Sequence, residues 1–113
     1  MTYVIELTRR GLLSLVTRVA YADGVRDGSD FVAVRIIDFT FQPAILRINI
    51  GQSVLWTNGD DSPHRIDHDA TPRFFRSQVL FPRDQYGHQF NVAGEFRYRC
   101  AIHPHMRGTI QVG

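Results

Sequence analysis

From Phe31 to the C-terminus, apolar side chains recur at every second position. Val32, Val34 and Ile36 share one face, and after Pro43 so do Leu46, Ile48 and Ile50, with Arg47 and Asn49 opposite. Val54 and Trp56 follow, then Phe90 and Val92, then Phe96, Tyr98 and Cys100, then Ile110 and Val112. Period two over short runs predicts strands with one buried face. Turn-forming residues separate the runs: Gln42-Pro43, Gly51, Asn58-Gly59-Asp60-Asp61, Pro82-Arg83-Asp84 and Ala93-Gly94. No helical stripe long enough to compete occurs after residue 23. The pattern therefore predicts an all-β domain, a sandwich or barrel of several short strands.

The same alternation places one reactive side chain. Glu95, Arg97 and Arg99 point to water, so Phe96, Tyr98 and Cys100 point inward. Cys100 is the last inward residue before a loop begins. Its sulfur is expected at one end of the sandwich, shielded yet close to the surface.

At 113 residues the chain is long enough for one domain and one core. A single cysteine excludes an internal disulfide. All 13 basic residues are arginine, and the net charge of +2 depends on the N-terminus. Without Arg9, Arg10, Arg18 and Glu6 the remainder is neutral, which argues against a nucleic-acid binder. Residues 1–22 read differently from the rest. Arg9-Arg10 precede the apolar run Gly11-Leu12-Leu13-Ser14-Leu15-Val16, and Ala20-Tyr21-Ala22 follows. Basic, apolar, small-x-small is the order of an export signal, here short and interrupted by Arg18. The expected organisation is a degenerate signal or N-terminal extension over 1–22 and one domain over 23–113. The expected location is the periplasm. No segment approaches the ~20 apolar residues of a membrane span.

The chemistry lies in Cys100-Ala101-Ile102-His103-Pro104-His105-Met106. A thiolate, an imidazole and a thioether fall on one short loop, and a second imidazole is available upstream at His64, after a turn. Two imidazoles, one thiolate and a weak axial thioether form the ligand set of a blue-copper electron-transfer site. Zinc held by one cysteine and two histidines is the metal-level alternative, and Met106 argues against it because thioether suits copper better. Cys100 with a histidine as nucleophile and base would make an enzyme. No orienting third residue or oxyanion arrangement is evident, so the reading is not an enzyme. A copper carrier without a dedicated electron-transfer role is the functional alternative. Open Met/His-rich sequence would favour it, and this chain has only two methionines.

From Phe41 to Val112 the chain resembles the cupredoxins, and its short C-x-x-H-x-x-M loop resembles the amicyanin-like and plastocyanin-like members. The framework reads Phe41-x-Pro43, Leu46-x-Ile48-x-x-Gly51-x-x-Val54-x-Trp56-x-Asn58 and Pro63-His64. It continues as Gly94-x-Phe96-x-Tyr98-x-Cys100-x-x-His103-Pro104-x-Met106-x-Gly108. The resemblance implies a Greek-key β-sandwich of about eight strands and one copper cycling between Cu(I) and Cu(II). It implies His64, Cys100 and His103 as equatorial ligands and Met106 as the axial one. It further implies a monomer that passes single electrons to redox partner proteins, of the cytochrome c, dehydrogenase or oxidase kind. Three positions depart from the family pattern. Arg65 and Ala101 stand where the usual Asn to Ser/Thr tether between the two ligand loops would be. Ile102 replaces a proline and so keeps an N–H available to the Cys100 sulfur. His105 replaces an aromatic and is expected at the docking surface with Pro63 and Pro104. The sequence assigns no role to His68.

Overall fold

The structure is a computed structural model that describes residues 31–113. The expectations for residues 1–22, and the start of the domain at residue 23, fall outside the described residues. Eight strands follow in chain order: β1 (Phe31–Ile37), β2 (Thr40–Gln42), β3 (Ile45–Ile48), β4 (Ser53–Asn58), β5 (Ile66–His68), β6 (Gln85–Gln89), β7 (Gly94–Cys100) and β8 (Arg107–Val112). They form two four-stranded sheets, ordered β2-β1-β4-β6 and β3-β8-β7-β5. Two pairings are parallel, β1 with β4 and β3 with β8. The chain passes between sheets after each of β2, β3, β4, β5 and β6, the crossing pattern of a Greek-key sandwich. Among the described residues no helix is long and apolar enough to cross a membrane.

The alternating residues meet between the sheets. Val32, Val34, Ile36, Val54 and Trp56 come from one sheet, and Leu46, Ile48, Ile66, Tyr98, Cys100, Ile110 and Val112 from the other; all are buried. Trp56 is central: it stacks on Tyr86 at 5.6 Å and meets Tyr98 edge-on at 5.3 Å. Such aromatic pairs add roughly 0.5–1.5 kcal/mol beyond their buried area.

Two apolar positions do not follow the expected pattern. Ile50 is 54% exposed and Val92 is 68% exposed. β3 ends at Ile48, and Ile50 lies in the turn before Gly51, whose φ is +95°. The last strand residue of β6 is Gln89; Phe90 is buried beyond it, and Val92 rides the turn into Gly94, whose φ is +152°. Only glycine reaches such φ values without strain. The chain leaves the pleat at both places, so the period of two ends there.

Gly108 has a packing reason to be glycine. It sits opposite Tyr98 in the β7–β8 ladder, and an added Cβ would fall inside contact distance of the Tyr98 Cζ and hydroxyl oxygen. Tyr98 is buried under Phe41 and Trp56 and has nowhere to move. Gly108→Ala is expected to cost about 1–3 kcal/mol by overpacking, read as a lower urea midpoint with unchanged slope.

The end of the sandwich near β6 holds a mixed histidine–phenylalanine stack. The Phe75 ring lies between His68 (4.7 Å) and His88 (5.0 Å). His68 Nδ1 accepts the Phe74 N–H at 3.0 Å, so this ring is neutral with its proton on Nε2. Burial pushes His68 below its ordinary pKa, with Asp69 and Asp67 acting weakly the other way. Burial, and then His68 itself, does the same to His88. The unfolded chain therefore binds more protons than the folded one below about pH 6.5. This contribution is complete above about pH 6.5 and is lost as the pH falls through the lower folded values. The urea midpoint should drop between about pH 7 and 5, and His68→Phe/His88→Phe should drop less.

Candidate metal centre

Three elements converge at one end of the sandwich. β7 delivers Cys100 at its last residue, fully buried. The loop from Ala101 to Met106 carries His103 and closes on itself: the Met106 N–H donates to His103 O at 2.9 Å and the Cys100 N–H to Met106 O at 3.1 Å. Met106 is buried at the foot of this loop, immediately before β8. His64 comes from the β4–β5 connection. Its backbone exchanges two hydrogen bonds with Leu80 (3.0 and 2.7 Å), and the fully buried Asn58 ties the connection down through Ser62 O and Leu80 O, both at 2.9 Å.

His64, Cys100 and His103 bring one ligand atom each within 4.8 Å of one another. Cys100 Sγ lies 3.7 Å from His64 Nδ1 and 3.8 Å from His103 Nδ1. With metal bonds of about 2.3 Å to sulfur and about 2.05 Å to nitrogen, donors 120° apart lie about 3.8 Å from each other. Both sulfur–nitrogen spacings therefore fit a metal ion that the thiolate and the two imidazoles would share. The donor types, thiolate and imidazole with a buried thioether beside them, fit copper. His105 is exposed, its ring centre 6.3 Å from that of His103, and it is not part of the cluster.

The sulfur accepts two backbone N–H donors, from Arg65 and from His103, each at 3.4 Å. Ile102 is not one of them, contrary to the expectation drawn from its replacing a proline. The Met106-to-His103 hydrogen bond tightens the loop so that the third amide after the cysteine, not the second, faces the sulfur. The Ile102 side chain turns outward, 42% exposed. The tether missing at Arg65 and Ala101 is supplied by backbone: Ala101 N–H donates to Arg65 O at 2.9 Å.

Asp60 and Phe39 were not among the residues singled out from sequence, and both touch the site. Asp60 Oδ2 lies 2.9 Å from His64 Nε2. The carboxylate also accepts the N–H groups of Asp38 (2.6 Å) and Phe39 (2.9 Å). Burial raises the Asp60 carboxyl, but those two N–H donors and His64 outweigh it and hold it below its usual value. An ionised Asp60 can only accept, so it fixes the His64 proton on Nε2. That leaves the Nδ1 lone pair facing the sulfur and the metal position. Phe39 packs edge-on against both rings, 5.2 Å from His64 and 5.0 Å from His103. Asp38 and Phe39 have φ values of 53° and 59°, left-handed conformations that bulky residues seldom adopt. The Asp60 carboxylate holds that turn against the site. The one sequence signal for it is the spacing, an acid four residues before His64 in a turn.

Residues 30–113 match the copper binding proteins of the plastocyanin/azurin family. Amicyanin-alpha of Methylorubrum extorquens is 32% identical over 82 residues, covering 70% of this chain and 69% of that protein. The chloroplastic plastocyanin of Tetradesmus obliquus is 36% identical over 93 residues, covering 74% of this chain and 61% of that protein. Among solved structures, a reduced amicyanin mutant superposes with a TM-score of 0.70 at 26% identity, covering 82% of this chain and 90% of that one. Match and metal geometry agree: the chain belongs to the plastocyanin/azurin family of copper-binding proteins, the cupredoxins.

Proposed function

We propose that this protein is a type 1 copper electron carrier, with His64, Cys100 and His103 as equatorial ligands and Met106 as the axial one. The observation that carries this reading is the enclosed sulfur. Cys100 Sγ has two backbone N–H donors and two imidazole nitrogens around it, in a fully buried position. Protein contacts hold the three equatorial positions: His64 by Asp60 and Leu80, Cys100 by β7, and His103 by the loop hydrogen bond and Phe39. Bound there, copper would supply a one-electron couple. Ligands held by the fold resist rearrangement between oxidation states, which suits electron transfer and not catalysis of bond changes.

His64 is fully buried and His103 only partly so, which makes the His103 ring the route to solvent. Exposed Ile102, Pro104, His105 and Phe39 surround it and would make the contact with a redox partner protein. The basic, apolar, small-residue order of residues 9–22 supports export to the periplasm. The copper-loaded protein should give a reversible one-electron wave in cyclic voltammetry. An irreversible wave with loss of metal on reduction would favour a copper carrier. Met106→Gln should lower the midpoint potential while keeping the colour, because a harder oxygen donor favours Cu(II). An unchanged potential would place Met106 outside the ligand set.

A further inference from the structure

Outside one cluster, the arginine–carboxylate ion pairs of the described residues are one to one. Arg107 pairs with Asp69 at 3.0 Å, Arg97 with Glu95 at 3.3 Å and Arg83 with Asp61 at 3.7 Å. One place breaks this rule. Three guanidiniums share the single carboxylate of Asp67: Arg73 Nε at 3.0 Å, Arg76 Nε at 3.6 Å and Arg99 Nη2 at 3.9 Å. Asp67 lies beneath them, its side chain only 4% exposed, while the arginines are 38–44% exposed. The cluster is therefore a cationic surface over one buried anion, with two positive charges left unmatched among the described residues. Arg65 adds a further cation with no acid partner among the described residues, its Nε donating instead to Ser77 O at 2.8 Å. The Nε of Arg99 is buried without a hydrogen-bond acceptor among the described residues.

Three elements build this surface. β5 carries Asp67, β7 carries Arg99 directly beside it in the ladder, and the loop bearing Arg73 and Arg76 folds over the outer edge of β5. The arginines are thus held on a sheet and its strapped-down loop. Unmatched guanidiniums in fixed positions are suited to carboxylates, which they engage in paired hydrogen bonds. Asp38 and Asp84 have no arginine partner among the described residues and Asp60 faces His64; all three lie on turns of the other sheet, away from this cluster in the fold.

We propose that the Arg73–Arg76–Arg99 cluster over Asp67 is a docking site for the acidic face of a partner protein. The redox character of that partner rests on the electron-transfer reading above; the site itself does not. Its location is suited to such a role. Arg99 is bonded directly to Cys100, and the Arg65 N–H donates to the Cys100 sulfur. A partner held against Arg99 sits one residue from the thiolate along the chain, apart from the His103 edge.

The test is an NMR map on the reduced, isotope-labelled protein with hexacyanochromate(III), a paramagnetic, redox-inert anion. Broadening should centre on residues 73–76, 99 and 65–67. A short oligoglutamate peptide should relieve it by competition. Arg73→Gln/Arg76→Gln should weaken the anion about tenfold, whereas Arg35→Gln and Arg47→Gln should leave it unchanged. If the double variant does not fold, Arg73→Gln and Arg76→Gln taken singly should each weaken it about threefold. Broadening centred on 102–105, or unaltered by these substitutions, overturns the proposal. Anion binding that oligoglutamate cannot displace marks a small-ion site and overturns it as well. The map needs neither colour nor a redox wave, so it stands or falls separately from the electron-transfer reading.

Discussion

Cys100→Ser is expected to yield a folded protein that no longer gives an intense visible band with Cu(II). The hydroxyl is a hard, neutral donor and cannot supply the thiolate charge transfer that colours the site. The fold should survive. Serine is close to cysteine in size, and its oxygen still offers an acceptor to the Arg65 and His103 N–H groups that now reach the sulfur. The stability change should stay below about 1.5 kcal/mol. Absorption after Cu(II) addition, with urea unfolding alongside, checks both halves. A variant that remains intensely coloured would remove Cys100 from the site.

Asp60→Ala carries the second large effect, and it reaches the site from outside the ligand set. The carboxylate holds the His64 proton on Nε2 and satisfies two N–H groups of a left-handed turn. Its removal frees His64 to take the wrong tautomer and frees Phe39 to leave both rings. Copper affinity should fall about 10–100-fold, the usual consequence of losing a residue that orients a ligand. Two N–H groups lose their partner, which should cost about 1–3 kcal/mol of stability. Asp60→Asn offers one acceptor oxygen where the carboxylate uses two, so its amide nitrogen must face either the Asp38 N–H or the Phe39 N–H and His64; stability should return only in part, and copper affinity should fall less than in Asp60→Ala. Competition with a chelator of known affinity gives the first quantity and urea unfolding the second. Unaltered affinity in both variants would reduce Asp60 to a turn residue.

The strands that line the core were legible because their outer faces meet water. β1, β4, β7 and β8 alternate in sequence as they do in burial. β5 was not legible, because all three of its residues are buried. The loop over its outer edge covers Asp67 and His68, so no polar face remains to mark the period. β6 reads Gln-Tyr-Gly-His-Gln and is exposed or half-buried throughout, with Tyr86 and His88 as its inward side chains. Polar and aromatic residues carry a strand there without an aliphatic stripe. Ile50 and Val92 looked like strand residues because alternation in sequence continues through a turn that the backbone does not.

At the site, the Cys100, His103 and Met106 part was legible because its residue types are rare and closely spaced on one loop; His64 joins it from the β4–β5 connection. Asp60 and Phe39 were not, since they act through space from turns that only the sandwich brings together. The sulfur's second donor was misplaced by one residue, from Ile102 to His103, because the curl of the loop depends on the Met106-to-His103 hydrogen bond and not on which residue can donate.

One copper held by the Cys100 thiolate, two imidazoles and Met106 has a direct optical signature. Titration of the metal-free protein with Cu(II), followed by visible absorption, should show an intense thiolate-to-copper band that grows linearly and stops at one equivalent per chain. Only a weak band, or none, at full Cu(II) binding would contradict this ligand set.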